Sequence, residues 1–254
     1  MKYMGSKARI AKHILPIMLN EAEKHGITTW VEPFVGGANM IKNVPKDFKR
    51  IGFDNNQYLI DMYNFLQKNG FIYTENISKQ LYSEVREAYN NNSWHISDGE
   101  VESSFIGWVG FMASANGRFF DGGYSGVSKT KIGTERNYID ESVRGLKKEF
   151  PDIQEVEFVA EDYLNLDFKN CLIYCDPPYK GTKTYNTSKN FDHEQFFEWC
   201  REQAKKNIVF VSEYDAPDDF ECVWQQEVKS SLSANGVAGG SKVSVEKLFR
   251  VKGD

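Results

Sequence analysis

Asp176, Pro177, Pro178 and Tyr179 stand in succession directly after the apolar run Leu172-Ile173-Tyr174-Cys175. A short buried strand at that run would fix where the acid sits. The prolines lock φ and withdraw two backbone donors, so the turn is rigid and its carbonyls are left as acceptors. The aromatic presents a flat face beside the acid. Such a group would hold a planar, amine-bearing ring against an acceptor. That arrangement suits methyl transfer to the exocyclic amine of a nucleobase.

An acid at a strand end needs a sheet to place it. Residues 29–34 read as a strand running into Val35-Gly36-Gly37, a short helix follows, and residues 50–54 read as a second strand ending in Asp54. Strand, glycine turn, helix, strand and acid in that order describe a βαβ unit of a doubly wound sheet. Ligands of such sheets lie outside the carboxyl ends of the strands. Phe34, Gly36, Gly37, Asp54, Asp162 and Asp176 all fall at expected strand ends or just after them. A glycine pair lets a ligand approach the backbone closely. An acid ending the second strand accepts hydrogen bonds from both hydroxyls of a ribose. Taken singly, the glycines are an ordinary tight turn and Asp54 an ordinary helix cap; their order relative to Asp176 places them in one site. The chain has neither G-x-G-x-x-G nor a G-x-x-x-x-G-K-[ST] phosphate loop. A nucleoside without a phosphate chain is expected, and S-adenosylmethionine, with its ribose, adenine, amino-acid tail and sulfonium, fits.

The remaining elements complete an α/β reading. Residues 6 to about 25 read as a helix with apolar Ile10, Ile14, Ile17 and Met18 and a stop at Gly26. From 56 to about 115 helical periodicity dominates. A glycine- and aromatic-rich stretch over 116–126 reads as a tight hairpin or loop. Strands resume at 156–159, 172–175 and 208–211, with a helix over about 192–206 and two last strands near 222–224 and 243–251.

Composition bounds the partners. A 254-residue chain with 41% apolar and 26% charged residues is an ordinary globular composition. No apolar run reaches membrane-spanning length and no apolar stretch follows the basic start, so neither a spanning helix nor a signal peptide is expected. Cys171, Cys175, Cys200 and Cys222 lack zinc-type spacing and read as small buried residues in a reducing compartment. A net charge of −5 does not advertise a nucleic-acid binder. Basic residues do gather locally, however, as Lys129, Lys131 and Arg136 and as Lys180, Lys183 and Lys189.

In these motifs the chain resembles the Dam-like DNA adenine-N6 methyltransferases of the alpha group, in particular the compact forms of bacteriophages and prophages. The likeness runs through Lys2-Tyr3-Met4-Gly5-Ser6-Lys7, Glu32-Pro33-Phe34-Val35-Gly36-Gly37, Asp54, Glu161-Asp162-Tyr163, Asp176-Pro177-Pro178-Tyr179, Val211-Ser212-Glu213-Tyr214-Asp215 and Ser233-Ala234-Asn235-Gly236. It implies a Rossmann-like methyltransferase sheet formed by residues 1–59 and 151–254, with a mainly helical target-recognition insertion at 60–150. It implies that Tyr3, Lys7, Phe34, Asp54, Asp162, Tyr163 and Asp176 contact S-adenosylmethionine beside Gly36, with Lys7 pairing its carboxylate. It further implies double-stranded DNA as partner, a flipped adenine, a bacterial cytoplasm, no metal, and membership of a restriction-modification pair or an orphan role.

Chemistry follows from that assignment. Asp176 and the Pro177 carbonyl would each accept an N–H of the adenine amine, and Tyr179 would stack on the base. Asn116 and Arg118 stand where better-known members carry a longer hairpin with other polar residues, so no target sequence carries over. Arg118 would read a guanine edge or hold a phosphate. Lys129, Lys131, Lys180 and Lys183 would hold phosphates. Phe119, Phe120 and Tyr124 would either stack on DNA or pack in the insertion. Two rivals remain at this level: a methyltransferase for cytosine N4, RNA or a glutamine side chain, and a DNA-binding module that keeps the fold without catalysis.

Overall fold

A computed structural model describes residues 1–96, 99–129, 133–179, 191–229 and 243–252. In chain order its elements are α1 (Ala11–Lys24), β1 (Thr29–Glu32), β2 (Lys49–Asp54), α2 (Gln57–Asn69), α3 (Lys79–Asn90), β3 (His95–Ile96), β4 (Gly99–Glu100), α4 (Ser103–Met112), β5 (Val127–Lys129), β6 (Glu135–Asn137), α5 (Tyr138–Glu149), β7 (Glu157–Ala160), β8 (Leu172–Cys175), α6 (His193–Ala204), β9 (Ile208–Glu213), β10 (Phe220–Lys229) and β11 (Val243–Val251).

Seven strands form one sheet in the order β10-β11-β9-β8-β1-β2-β7. From β9 to β7 all neighbours are parallel, whereas β11 runs antiparallel to both β9 and β10. Chain order reverses between β1 and β8, the strand pair bounding the crevice where ligands of open sheets bind. Why the sheet is central is visible in β8, whose four residues are all buried. Strand side chains alternate between faces. Trp30, Leu172 and Tyr174 therefore enter one core with α1, α2 and α4, and Val31, Ile173 and Cys175 enter a second core with Phe196 and Cys200 of α6. Covering both faces is what makes these strands continuously apolar.

Between β2 and β7 lies a helical layer centred on α4. Its residues from Ile106 to Met112 are all buried, as expected of a helix apolar all round. Close packing depends on two small residues. A Cβ on Gly107 would stand 2.1 Å from the Tyr58 carbonyl oxygen, and one on Gly110 would stand 2.4 Å from the Phe119 ring. Side-chain oxygens of Asn56, Ser78, Asn137 and Asp192 cap α2, α3, α5 and α6.

Several local expectations are corrected. The first helix is split, because residues 7–9 form a 3-10 turn before α1. Only a 3-10 turn at Ile41–Asn43 follows the glycine pair. A short strand pair, β3–β4, lies in the stretch read as helical, and a second, β5–β6, follows the 116–126 stretch. Cys222 is exposed, unlike the other three cysteines. Of the two readings of Phe119 and Phe120, packing is the one observed: both lie in the core against Phe111, Tyr82 and Tyr89. No helix among the described residues is long and apolar enough to cross a membrane.

Candidate active site

β8 delivers Asp176 to the crevice. Its carboxylate lies 3.0 Å from Lys7 Nζ, and the same ammonium sits 4.3 Å from the centre of the Tyr179 ring and donates to the Gly5 carbonyl at 3.1 Å. Lys7 is 8% exposed, so the protein, not water, supplies its partners. Tyr179 donates its phenolic O–H to Glu246 Oε2 at 3.0 Å and meets Tyr214 edge-on at 4.6 Å. Glu246 Oε2 is also 4.0 Å from Lys7 Nζ. Beneath them Tyr174 and Ser212 share a buried hydrogen bond of 2.8 Å.

β1 ends beside this group in Glu32, which accepts from the Trp30 indole N–H at 2.9 Å and is 3% exposed. Burial pushes Glu32 well above the usual carboxylate range, with the indole bond opposing and the charge of Asp176 adding. Asp176 is raised as well, chiefly by burial; Lys7 opposes the shift and Glu246 adds to it. Against the one ammonium of Lys7 stand the carboxyl groups of Asp176 and Glu246, while burial favours the neutral form of Glu32 beside them.

The glycine turn and Asp54 are joined by hydrogen bonds. Gly36 has a positive φ of 45° and donates its N–H to Asp54 Oδ2 at 3.0 Å. Asn56 N–H donates to Asp54 Oδ1 at 2.9 Å, and Tyr63 O–H donates to the Gly36 carbonyl at 3.0 Å. Burial lifts Asp54 to about 6 against these two N–H bonds. The backbone of the turn is lined by Tyr3: a Cβ on Gly36 or Gly37 would come within 2.8 or 2.5 Å of its side chain.

A further wall is aromatic. Phe34 lies 5.2 Å from Tyr163, and both contact Phe191 and Phe196. Asp162 precedes Tyr163 and caps the following turn through the Leu164 N–H at 2.9 Å. Glu161 N–H donates to the Asp54 carbonyl at 3.2 Å, so the ends of β2 and β7 adjoin.

The sequence-based cofactor residues therefore fall into three joined groups: Lys7 with Asp176; Tyr3 with Gly36 and Asp54; and Phe34 with Tyr163, flanked by Asp162. Among the described DNA candidates, Asn116 and Arg118 share the turn after α4 and Lys129 lies on β5. Asn116 is exposed at a positive φ of 59°. Its neighbour Gly117 fits under the N-terminal segment, where a Cβ would stand 2.1 Å from the Lys2 carbonyl oxygen. Arg118 is half-buried, and its Nε is buried without a hydrogen-bond partner. Lys129 is exposed on β5, whereas Arg136 is engaged by both oxygens of Glu141. Lys131, Lys180, Lys183 and Lys189, and the 233–236 segment, lie outside the described residues.

Two acids escaped the sequence-based site. Glu32 was legible as a carboxyl group at the end of the strand entering the glycine turn. Glu246 had no local signal, since it sits within an alternating strand of the terminal hairpin. Among the described residues no cluster of His, Cys, Asp and Glu could hold a metal ion.

A doubly wound sheet with its crevice between β1 and β8, extended by a hairpin whose second strand inserts in reverse beside β9, is a Rossmann-like methyltransferase fold. Residues 3–105 match the family model of the D12 class N6 adenine-specific DNA methyltransferases. That span holds Lys7, the glycine turn and Asp54 and ends before Asp176. No curated protein matches the chain by sequence. Among solved structures, a candidate methyltransferase of Escherichia coli aligns at 7% identity over 96% of this chain and 86% of that one, with a TM-score of 0.38. A candidate methylase of Haemophilus influenzae aligns at 8% identity over 95% and 98%, with a TM-score of 0.34. At these scores the likeness carries no argument, and the fold assignment rests on the strand order.

Proposed function

We propose that this chain transfers a methyl group from S-adenosylmethionine to the exocyclic N6 of an adenine flipped out of double-stranded DNA. The observation that carries the reading is the position of Asp176 and Tyr179 immediately after β8, at the crevice and beside the glycine turn. The residues suit the cofactor. The surplus of carboxyl groups complements a sulfonium and an ammonium, Asp54 adjoins a backbone turn that only glycine fits, and Phe34 with Tyr163 offers an aromatic wall for a nucleobase. Tyr3, Lys7, Phe34, Gly36, Asp54, Asp162, Tyr163 and Asp176 would hold it. When bound, the cofactor supplies an electrophilic methyl group.

The chain's own residues act on the amine. Its lone pair is delocalised into the purine, which makes it a poor nucleophile. Asp176 and the Pro177 carbonyl accept its two N–H groups, favour pyramidal geometry and stabilise the positive charge that grows during attack. Tyr179 stacks on the base and aligns it. The layer over 60–150 serves as the recognition region, with Asn116, Arg118 and the lysines at 129, 131, 180 and 183 toward DNA. The setting that accords with the resemblance is the cytoplasm of a bacterial host, as a phage or prophage enzyme with or without a cognate endonuclease.

The test is incorporation of labelled methyl groups into unmethylated DNA, followed by mass spectrometry of its nucleosides. N6-methyladenine made by the wild-type chain and lost in Asp176→Ala supports the reading. N4-methylcytosine, methylated RNA alone, or full activity of the folded variant would overturn it.

A further inference from the structure

Lys7 stands in the way of the reaction just described. Its ammonium occupies Asp176 Oδ1 at 3.0 Å and lies against the ring of Tyr179 at 4.3 Å. Those are the acceptor and the stacking surface that an incoming base requires. Lys7 is buried, so leaving for water would mean carrying its stem out of a packed site, and moving into an apolar space would strand a charge. Its other ion-pair partner among the described residues is Glu246, whose Oε2 is 4.0 Å away, 1.0 Å farther than Asp176. The Gly5 carbonyl remains within reach of the same ammonium.

Glu246 is built for that part. It stands one residue before Lys247, which pairs with Glu213 at the end of β9, so the reversed strand β11 brings it to the carboxyl edge of the sheet. It already holds the Tyr179 phenol at 3.0 Å. We propose that Glu246 is a positioning residue for methyl transfer: it fixes the Tyr179 ring through the phenol and provides the second seat of the Lys7 ammonium, which clears Asp176 and the face of Tyr179 for the target base. The proposal rests on the methyl-transfer reading above. No covalent step is involved.

Glu246 also reaches Asp176 through its charge. Among the described residues the groups facing Asp176 are Lys7 from the N-terminal turn, Glu246 from β11, Glu32 from β1, Tyr174 from β8 and Tyr179 from the turn itself. Of these, Lys7 favours the ionised form of Asp176 and Glu246 disfavours it. Removing the charge at 246 should therefore move the acid limb of the rate profile to lower pH, which loss of packing alone would not do.

The experiment measures kcat, KM for DNA, cofactor affinity and the pH profile of kcat, using labelled S-adenosylmethionine and long unmethylated DNA of mixed sequence. Glu246→Gln keeps an oxygen for the phenol and removes the charge that would receive Lys7. Tyr179→Phe removes the phenol and keeps the ring. Expected for Glu246→Gln is a fall in kcat of about 10- to 100-fold, cofactor affinity within about twofold of wild type, and an acid limb at lower pH. Expected for Glu246→Asp is a return of the wild-type limb, with kcat still reduced because the shorter side chain misplaces the ring. Tyr179→Phe combined with Glu246→Ala should be no slower than Glu246→Ala alone. A kcat within twofold of wild type and an unmoved limb in Glu246→Gln would overturn the proposal. So would a loss confined to cofactor affinity, which would show that Lys7 serves the cofactor's carboxylate alone and that Glu246 gives it no second seat. A wild-type chain inactive on DNA fails the methyl-transfer reading first, which separates the two failures. Should Glu246→Gln not fold, Glu246→Asp decides, and wild-type kcat in that variant overturns the proposal.

Discussion

The ring of Tyr3 fills the space into which a side chain on Gly36 would grow, with its Cε1 2.8 Å from where a Cβ would stand. Gly36 also has a φ of 45°, a conformation that costs an L-residue about 1–3 kcal/mol. Gly36→Ala should therefore lower stability to urea by at least about that amount and weaken cofactor binding in calorimetry. Adding Tyr3→Ala should relieve the steric part and leave the backbone strain. Equal stability of the single and double variants would show that Tyr3 is not what the new methyl group meets.

Asp54 gives a pH signature of known sign. Its folded pKa is about 6 against an ordinary 3.8, so between those values the folded chain holds a proton that the unfolded chain has released. On this group's account stability is fully present below about 4 and falls as pH rises towards 6, by up to about 3 kcal/mol at 1.36 kcal/mol per unit. Asp54→Asn lacks this slope. The stability of wild type minus that of the variant should be larger at pH 4.5 than at pH 7.5 in urea titrations. A difference independent of pH would place the folded pKa near its ordinary value.

Asp176→Asn tests acceptor chemistry without opening a cavity. The amide keeps one acceptor and turns an N–H toward the incoming amine, and it removes the charge nearest to Lys7. Methyl transfer should fall by about 100- to 1000-fold, the range seen when a group stabilising transition-state charge is lost. Circular dichroism and cofactor affinity should hold far better. Comparable losses in affinity and in kcat would move Asp176 from the chemistry to the binding of the cofactor.

Arg118 carries a buried Nε with no hydrogen-bond partner, and an unsatisfied buried donor costs about 1–3 kcal/mol. Arg118→Met keeps the stem's packing and removes the donor, so stability should be unchanged or raised by about 1 kcal/mol. DNA affinity should nevertheless fall, by about 1–3 kcal/mol at one target sequence if the guanidinium reads a base edge. A phosphate contact would instead weaken all sequences alike and lower the salt dependence. Unchanged DNA binding would remove Arg118 from the interface.

The parts of this architecture that could be read from the chain are those in which neighbours in sequence are neighbours in space. The buried run of β8 and the turn at Asp176 are contiguous, as are β1 with Gly36 and β2 with Asp54, so apolar strand followed by polar turn identified all three. What escaped depends on pairing over distance. Glu246 is 67 residues from its partner Tyr179, and β11 runs against its neighbours, so a search of strand ends passes over a residue near a strand's beginning. The exposed hairpin β5–β6 pairs three residues on each side, too few to show alternation. Phe119 and Phe120 carried no sign of their direction, because an aromatic pair beside glycines serves equally to pack or to stack. Their burial is set by α4, whose Gly110 leaves room for the Phe119 ring.

In β11, Leu248 packs with the core on one face of the sheet and Phe249 with the core on the other, while Phe249 pairs with Val211 and Leu248 with Ser212. A slip of one residue would exchange the two faces along the whole strand. Glu246 would then turn away from Tyr179, and Lys247 or Val245 would take its place beside Lys7. Either exchange removes the acceptor, and the first sets two ammonium groups against each other. Leucine and phenylalanine in two separate cores thus decide the sign of the charge presented to the reacting base, although neither comes near it.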